Sequence, residues 1–392
     1  MNKFAALLGA GIIFTGCTAV STPDFQEFSA HFTGERTELY HNKCKWDFEK
    51  FLTAEIAENP DMECADLVKF CCQAAFGIEK FSDDRMGDFF NDFNTVKADK
   101  KSVLIRVTSP DTARVDIAAW KAAGLPPEWL YRMSVAESEF DDSVKKMNEY
   151  VNTAAKLISG SNLKFSADEF TKMAAQCNKA DHKHLPHSKL YKQKNPPYRL
   201  ISTRYFHAIP VLKAAAKTTG TDSPKIIAID GRSASGKTTL ANQLKIILDA
   251  GVIHMDDFFL PPSLRTKMRY EEAGGNIHYE RFKEEVLPFL KKNTAFSYRI
   301  FDCKKLNFHG NRMIWANSRW RIVEGAYSHH RNFGNYADLK VFYDISPEEQ
   351  IRRISERNGV RAAGTFQKKW IPLEEKYIRT FSIDKNADLI IR

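Results

Sequence analysis

The segment that most constrains the fold is residues 231–238, which read G-R-S-A-S-G-K-T and match the pattern G-x-x-x-x-G-K-[ST]. An apolar, β-branched run, Lys225–Asp230, precedes the segment and predicts a buried parallel strand. Apolar residues at helical spacing follow it as far as Leu248. A strand, a glycine loop and a helix in this order predict a loop whose backbone N–H groups bind phosphate.

Each residue of the predicted loop is expected to contribute to nucleotide binding. Lys237 is expected to reach the outer phosphates, and the Thr238 hydroxyl is expected to hold Mg²⁺. A chance occurrence of the bare pattern is the alternative, and the flanking strand and helix argue against it. We therefore predict ATP and Mg²⁺ as cofactors. The other residues expected to contact ATP are Gly231, Ser233, Ala234, Ser235, Gly236 and Thr239.

The composition describes an ordinary soluble globular protein. The chain has 392 residues, enough for two or three domains, with 43% hydrophobic and 27% charged residues. The formal net charge of +9 suits an enzyme that attracts anionic substrates to a positive cleft. Nucleic acid is not expected as a partner, because no nucleic-acid recognition motif accompanies this charge. The oligomeric state stays open.

The cysteines and the N-terminus give opposite indications about the compartment. Seven cysteines without a C-x-x-C pair predict neither a disulfide framework nor a zinc site, and they favour thiols in a reducing compartment. Residues 1–17 instead combine a short positive region, a short apolar run and Phe14-Thr-Gly-Cys17, which is similar to a bacterial lipoprotein cleavage box. We expect a cytoplasmic protein, and a start site placed too early is one explanation of residues 1–17. A membrane-anchored lipoprotein, attached through Cys17, is the alternative.

Composition and periodicity divide the chain into four parts. Residues 1–35 are interpreted as a signal-like leader and tether, 36–216 as a mainly α-helical domain, 217–224 as a breaker-rich linker, and 225–392 as the phosphate-loop domain. Within 36–216, apolar spacing predicts a helix over Asp66–Phe76 that ends at Gly77. Further helices are predicted from an entry at Ser109–Thr112 to Ala123 and over Glu128–Met133. A capping box at Ser166–Glu169 predicts the start of another helix.

From Lys225 onward, strand and helix patterns alternate along the chain. The predicted strands cover residues 225–230, 251–255, 320–324, 338–344 and 387–391. This alternation predicts an α/β fold, in which a parallel sheet is covered by helices on both faces. Ser346, Pro347 and Glu349 carry the signals of a helix start after the fourth of these strands.

Acidic residues follow or end two of the predicted strands, where the ligands of a parallel sheet bind. Asp256 and Asp257 follow strand 251–255, and one such carboxylate is expected to accept the proton of an attacking hydroxyl or to orient that hydroxyl. Glu324 ends strand 320–324 and is expected to reach the metal ion or its water shell. A helix or turn cap is the alternative for the aspartates, and pairing with a nearby base is the alternative for Glu324.

Arginines are concentrated in residues 351–361, around a predicted helix end. Arg357 and Arg361 are expected to lie on a mobile segment that closes over ATP and stabilises charge on the transferring phosphoryl group. A solvated helix face is the alternative.

These motifs occur in the order seen in a known group of enzymes. The phosphate loop, residues 254–262, Phe301-Asp302, Val323-Glu324-Gly325 and the arginine segment resemble the uridine kinase and phosphoribulokinase-like group of P-loop kinases, over about residues 225–392. The resemblance implies an adenylate-kinase-like parallel sheet and ATP-dependent phosphorylation of a small-molecule hydroxyl. It also implies that Asp256 is the general base and Glu324 the magnesium-side acid.

The same resemblance implies where the acceptor binds. Phe301-Asp302 resembles the Tyr-Asp pair that lines the nucleoside pocket of this group. Asp257 stands where nucleoside kinases usually have Ser, and His278 lies where an acid often holds ribose hydroxyls. These four residues are the candidate substrate-binding residues.

The N-terminal domain is similar to helical regions fused ahead of such kinases in some bacterial proteins, and it carries no catalytic motif. Its densest feature contains His182, His184 and His187. Three close histidines can bind a metal ion, but a basic, partly exposed loop near the kinase is the favoured interpretation. In a third interpretation, an anionic ligand contacts the basic residues Lys189, Lys192, Lys194, Arg199 and Arg204.

We therefore predict a small-molecule kinase that acts on a nucleoside such as uridine. One alternative is a kinase of a non-nucleoside alcohol, such as a sugar or a pantothenate-like acid. Two others are a nucleotide-sensing regulatory protein and a lipid-anchored surface protein with a vestigial phosphate loop. Asp256 argues against the sensor, which needs no base for a hydroxyl.

Overall fold

The structure is a computed structural model, and it describes the chain from residue 47 onward apart from short segments. The leader predicted at residues 1–35 lies outside the described residues, as do His182 and His184. The described ranges are 38–39, 47–77, 86–135, 142–176, 185–218, 223–303 and 305–392.

Helices dominate the N-terminal half, and strands alternate with helices in the C-terminal half. The described strands are β1 Glu38–Leu39, β2 Ile105–Val107, β3 Thr112–Asp116, β4 Tyr198–Ser202, β5 Lys225–Gly231, β6 Gly251–His254, β7 Phe296–Asp302, β8 Asn307–Ile314, β9 Trp320–Glu324, β10 Leu339–Tyr343 and β11 Leu389–Ile391. The described helices are α1 Phe48–Glu58, α2 Cys64–Phe76, α3 Met86–Thr95, α4 Ile117–Ala122, α5 Pro127–Val135, α6 Ser143–Ser159, α7 Ala167–Gln176, α8 Lys189–Lys194, α9 Ala208–Ala215, α10 Lys237–Leu248, α11 Lys267–Glu271, α12 Tyr279–Glu285, α13 Pro347–Asn358, α14 Val360–Thr365 and α15 Ile371–Phe381, with a π-helical turn at Phe366–Trp370.

The C-terminal half is built on a parallel sheet, which confirms the predicted α/β fold. Among the described residues the strand order is β1-β11-β10-β5-β9-β6, and each neighbouring pair is parallel. The five strands predicted from the sequence are present, and β1 extends the sheet beyond them. Because the strands are parallel, the phosphate loop and the acids that end or follow β6 and β9 emerge at the same edge.

Both faces of this sheet are buried, as its continuous apolar strands require. Ile227 and Ile229 of β5 pack with α10 and with the helices of the N-terminal half. Ile226 points to the other face, where β7, α12 and α15 cover it. The N-terminal half and the sheet therefore share one core.

Helix α5 makes a polar contact between the two halves. The Arg132 guanidinium donates a hydrogen bond of 2.9 Å to the carbonyl oxygen of Ile247 at the end of α10. One turn away, the ring of Trp129 meets the ring of Trp320 edge-on, with centroids 6.1 Å apart. The N-terminal half is thus docked on the helix that follows the phosphate loop.

The N-terminal half contains a small antiparallel sheet that the sequence did not predict. Strand β3 pairs with β2 on one side and with β4 on the other. The predicted helix start at Ser109–Thr112 is therefore wrong: a strand intervenes, and α4 begins only at Ile117, where the Asp116 carboxylate accepts the N–H of Ala119 at 2.9 Å. The error arose because the partner strand β4 lies far along the chain, where local periodicity cannot reveal it.

Three predicted helix boundaries, one C-terminal and two N-terminal, are confirmed. Gly77 follows α2 with φ 75°, a conformation that glycine adopts without strain. Ser166 and Glu169 exchange hydrogen bonds as a capping box before α7. The Ser346 hydroxyl accepts the N–H of Glu349 at the start of α13.

The described cysteines Cys64, Cys71, Cys72 and Cys303 are free thiols. None of the helices in the described ranges combines the length and apolar character that crossing a bilayer requires.

A buried carboxylate at the end of β5 holds three elements together. Asp230 is 1% exposed, and its Oδ1 accepts the N–H groups of Gly231 (2.7 Å) and Tyr327 (3.1 Å). Its Oδ2 accepts the N–H of His329 (2.9 Å) and the hydroxyl of Tyr377 (2.8 Å). The phosphate loop, the loop after β9 and helix α15 therefore meet at one side chain.

We expect Asp230→Asn to lower the free energy of unfolding by about 3 kcal/mol. The amide nitrogen of Asn cannot accept a hydrogen bond, so two buried donors lose their acceptor in a variant of unchanged size. Urea unfolding measures the effect. The control is Asp61→Asn, which removes an exposed pairing with Lys164 and Lys194 and should cost less than about 1 kcal/mol. Equal stability of the two variants would contradict the prediction.

Candidate active site

The phosphate loop leaves β5 through a glycine that no larger residue can replace without a clash. Gly231 has φ 143°, and a Cβ on it would lie 2.0 Å from the carbonyl oxygen of Tyr343. Positive φ recurs at Ala234 (62°) and Gly236 (116°), which turn the backbone before α10 begins at Lys237. The residues predicted to contact ATP thus surround the N-terminus of α10, where the helix dipole favours an anion.

The side chain of Lys237 folds back over this loop. Its Nζ donates to the carbonyl oxygens of Gly231 (2.9 Å) and Arg232 (2.7 Å), and the residue is 8% exposed. A held ammonium group beside the loop N–H groups is a fixed positive charge. Such a charge stabilises the outer phosphates, which is the role predicted for Lys237 from the sequence.

Thr238 and Glu324, the two predicted magnesium residues, are brought together. The Thr238 hydroxyl donates to Oε2 of Glu324 at 3.2 Å, and Nδ1 of His254 lies 2.5 Å from Oε1. Glu324 therefore pairs with a base, His254, and contacts Thr238 at the same time. Sequence reasoning missed His254, because its place opposite Glu324 depends on the register of β6 and β9.

The hydroxyl and carboxylate fit Mg²⁺ as a ligand set. Mg²⁺ in phosphate sites takes one or two carboxylates and completes its shell with water and phosphate oxygens. Within the described ranges, no group of three or more His, Cys, Asp and Glu side chains is arranged to hold a metal ion. A magnesium ion at Thr238 and Glu324 would therefore draw its other ligands from the nucleotide and from water.

Asp256 lies beside these residues, in the cleft at the edge of the sheet where the phosphate loop emerges. It lies in the 3₁₀ turn Met255–Phe258 that follows β6, and its side chain is exposed at the cleft surface. Desolvation raises the pKa of Asp256. The charge of Glu324 raises that pKa further, whereas Lys237 lowers it. A carboxylate with a raised pKa is better matched to accepting a proton near neutral pH.

Asp302 ends β7, at the tip of the hairpin formed by β7 and β8. Oδ1 of Asp302 accepts the N–H of Lys305 at 3.1 Å, which fixes the turn of the hairpin. Desolvation raises the pKa of the adjacent Cys303 thiol to about 11, and the nearby charges of Asp256 and Asp302 contribute. The tip of the hairpin is therefore close enough to Asp256 for its charge to act on the Cys303 thiol.

The other candidate acceptor residues lie near the cleft but have partners within the protein. Oδ2 of Asp257 accepts hydrogen bonds from the Tyr298 hydroxyl (3.1 Å) and from Nε of Arg312 (3.0 Å). His278 is the N-cap of α12, and desolvation lowers its pKa, so its ring is neutral at neutral pH. The Phe301 ring is buried in the hairpin.

Arg353 contacts the phosphate loop, whereas the predicted Arg357 and Arg361 are exposed. Nη1 of Arg353 donates to the carbonyl oxygen of Ser235 at 3.1 Å. Arg353 and Arg357 are one helical turn apart, so the sequence could not tell which of them reaches the loop. The roles assigned to Arg357 and Arg361 stay predictions.

Helix α15 places a carboxyl group on the phosphate loop, which sequence reasoning also missed. Oε2 of Glu374 accepts the backbone N–H of Ser233 at 3.0 Å, and the Ser233 hydroxyl donates to Oε1. The neighbouring Glu375 pairs with Nε of Arg232 at 2.6 Å. Burial raises the pKa of Glu374. An acidic side chain thus takes up a loop N–H group that could otherwise face an anionic ligand.

The chain matches no protein-family model and no curated protein. It is similar to the solved structure of a possible uridine kinase from Bacillus stearothermophilus, with 21% identity and a TM-score of 0.38 over 47% of this chain and 97% of that one. It is also similar to a proposed fructose transport system kinase from Silicibacter sp. TM1040, with 21% identity and a TM-score of 0.39 over 48% of this chain and 98% of that one. Function is therefore inferred from the residues of this chain.

We expect Glu374→Gln to tighten ATP binding by about tenfold, because a buried negative charge beside the loop repels the terminal phosphate. Gln keeps an acceptor for the Ser233 N–H and offers a donor to its hydroxyl, so the loop contact survives. The affinity for ADP should increase less than the affinity for ATP. The wild type should approach the variant as pH falls through the raised pKa of Glu374, since protonation removes the charge.

Calorimetric titration with each nucleotide, at alkaline and mildly acidic pH, measures both effects. Glu375→Gln is the matched control, because it removes the same charge from the next residue without touching the Ser233 N–H. If Glu374→Gln weakened ATP and ADP binding equally, Glu374 would be a support of the loop and the prediction would be wrong.

Proposed function

We propose that the protein transfers a phosphoryl group from ATP to a hydroxyl group of a small molecule. The observation that carries this proposal is the position of Asp256, whose exposed carboxyl faces the cleft close enough to Lys237 and Glu324 for their charges to shift its pKa. A protein that only binds ATP needs the loop and the magnesium residues. It does not need a carboxylate with a raised pKa in the same cleft.

The loop residues supply binding and orientation in this proposal. Backbone N–H groups of residues 234–239 hold the phosphates, and Lys237 stabilises charge on the outer ones. Thr238 and Glu324 would hold Mg²⁺, which when bound neutralises charge on the terminal phosphates. His254, by its contact with Glu324, orients that carboxylate.

Asp256 acts on the acceptor. Its ionised carboxylate accepts the proton of the attacking hydroxyl, or orients that hydroxyl, as the bond to phosphorus forms. Its raised pKa makes it a stronger base than an ordinary aspartate. The arginines of α13 and α14 would cover the phosphates from the opposite side.

We propose a nucleoside such as uridine as the acceptor. The support is the hairpin tip, where the charges of both Asp256 and Asp302 act on the Cys303 thiol, and where Asp302 would bind the polar edge of a base or sugar. Phe301 is buried, so its ring would shape the wall of the site from behind. Because Asp257 already accepts two hydrogen bonds, it would position the hairpin that carries Asp302. A sugar or pantothenate-like alcohol is the second candidate, favoured by the burial of Phe301, which leaves less of its ring for stacking on a base.

We further propose that residues 225–392 form the catalytic domain, that 217–224 link it to the preceding domain at 36–216, and that the protein acts in the cytoplasm. The free thiols of the described cysteines support the last point.

We expect Asp256→Asn to lower kcat by about 10²–10⁴-fold with little change in ATP affinity, because the amide cannot accept the proton. The acidic limb of the wild-type rate profile should lie above the ordinary aspartate range, since the base form is lost as pH falls through the raised pKa. Steady-state kinetics across pH measures both effects. The comparison variant is Glu324→Gln, whose defect should be partly relieved by added Mg²⁺. Full activity of Asp256→Asn on an accepted substrate would exclude the assigned mechanism.

We expect uridine and cytidine to be phosphorylated faster than pantothenate and simple sugars. A panel of these acceptors, with [γ-³²P]ATP as donor, measures the transfer directly. Lys237→Ala should abolish transfer to each acceptor without lowering the unfolding temperature of the ligand-free protein. If only a non-nucleoside alcohol accepts the phosphoryl group, the kinase proposal stands and the nucleoside proposal is wrong. If Lys237→Ala turns over at the wild-type rate, the kinase proposal itself is wrong.

A further inference from the structure

The N-terminal half contains a cavity that the proposed reaction does not use. It has a volume of about 370 Å³ and lies between α2, α5, α8 and β4. Ligand sites for small molecules typically have volumes of roughly 300–1,000 Å³. The residues that define its chemistry are Lys69, His187, Tyr191, Lys192, Tyr198 and Arg199.

The floor of this cavity is a buried polar network. The Arg114 guanidinium donates to Oε1 of Glu55 (2.9 Å) and to the Tyr191 hydroxyl (2.6 Å), and it stacks 4.5 Å from the centre of the Tyr198 ring. The Tyr198 hydroxyl donates to Oε1 of Gln73 at 3.1 Å. Both tyrosine rings are therefore fixed before any ligand arrives, which lowers the entropy cost of binding.

His187 completes this network from the side. Its Nδ1 lies 2.9 Å from Oδ1 of Asp66, and its Nε2 lies 2.7 Å from the Tyr198 hydroxyl. Its ring stacks on Tyr191 with centroids 4.3 Å apart. Since Asp66 also accepts from the N–H and hydroxyl of Ser188, its charge is satisfied inside the wall.

The charged groups on the walls of the cavity are positive. Lys69, Lys192 and Arg199 line it, and no carboxylate does so among the described residues. Nη2 of Arg199 pairs with the exposed Asp92 at 2.9 Å, while its Nε is buried and has no hydrogen-bond acceptor among the described residues. Lys192 is exposed, and its ammonium group can donate charge-assisted hydrogen bonds to an anionic ligand in the cavity.

Another part of the wall is apolar. Pro196, Pro197 and Leu200 line the cavity beside the two tyrosine rings. Rings and prolines favour a planar apolar group, whereas the cations favour an anion. We propose that this cavity binds a small organic phosphate that carries a planar ring.

The proposal selects among the cations that the sequence offered for an anionic ligand. Lys192 and Arg199 line the cavity, but Lys194 pairs with Asp61 at 2.8 Å and does not line it. Lys69 lies on α2 and was missed, because α2 is far from these residues along the chain.

Phenyl phosphate, inorganic phosphate and phenol are the probes that test the proposal, titrated calorimetrically into the full chain. Phenyl phosphate has both the ring and the charge, so we expect it to bind at least tenfold more tightly than either of the others. Lys192→Ala should weaken phenyl phosphate binding by about five- to tenfold, because it removes one charge-assisted contact. Lys192 is exposed, so the variant should fold normally.

Two controls separate this cavity from other phosphate sites. Lys194→Ala removes the same charge from the same helix outside the cavity and should leave binding unchanged. Lys237→Ala disables the phosphate loop and should also leave it unchanged, so failure of this proposal is distinct from failure of the proposed kinase. The proposal is overturned if phenyl phosphate does not bind at millimolar concentration, if phenol binds equally well, if the two lysine variants on α8 behave alike, or if Lys237→Ala abolishes binding.

Discussion

A buried carboxylate at the root of the phosphate loop determines how the C-terminal half is assembled. Asp230 accepts hydrogen bonds from the first glycine of the loop, from the loop after β9 and from Tyr377 on α15. Glu374 lies three residues before Tyr377 and therefore on the same face of that helix. The bond that anchors α15 to Asp230 thus also brings the carboxyl group of Glu374 to Ser233. Loop conformation and anion access consequently depend on the same helix.

The parts of the fold that were predicted from the sequence have local signals. The strand before Gly231 is a continuous apolar run, and the loop pattern itself requires a helix after it. The caps at Gly77, Ser166 and Ser346 were recognisable because their partners lie within a few residues. The meeting of Thr238 with Glu324 could also be anticipated, since parallel strands end at one edge of a sheet.

The parts that were missed depend on contacts between distant residues. Strand β3 at Thr112–Asp116 was interpreted as the start of a helix because its partner β4 lies more than eighty residues later. Arg353 contacts the loop because its turn of the helix faces the loop. The spacing of the arginines along the sequence does not reveal which turn does so. Glu374 carries no motif, and only the packing of α15 against Asp230 reveals its contact with the loop.

The N-terminal half and the phosphate loop are physically connected through α5. Ser134 of this helix lines the cavity of the N-terminal half, while Arg132 binds the carbonyl oxygen of Ile247 at the end of α10. The apolar core is continuous across this contact, because residues of α10, of the sheet and of the N-terminal helices belong to one cluster. A ligand that binds only the folded cavity stabilises the folded state by RT ln(1 + [L]/Kd). Because the two halves share this core, we expect a ligand in the cavity to stabilise the sheet that carries the phosphate loop as well.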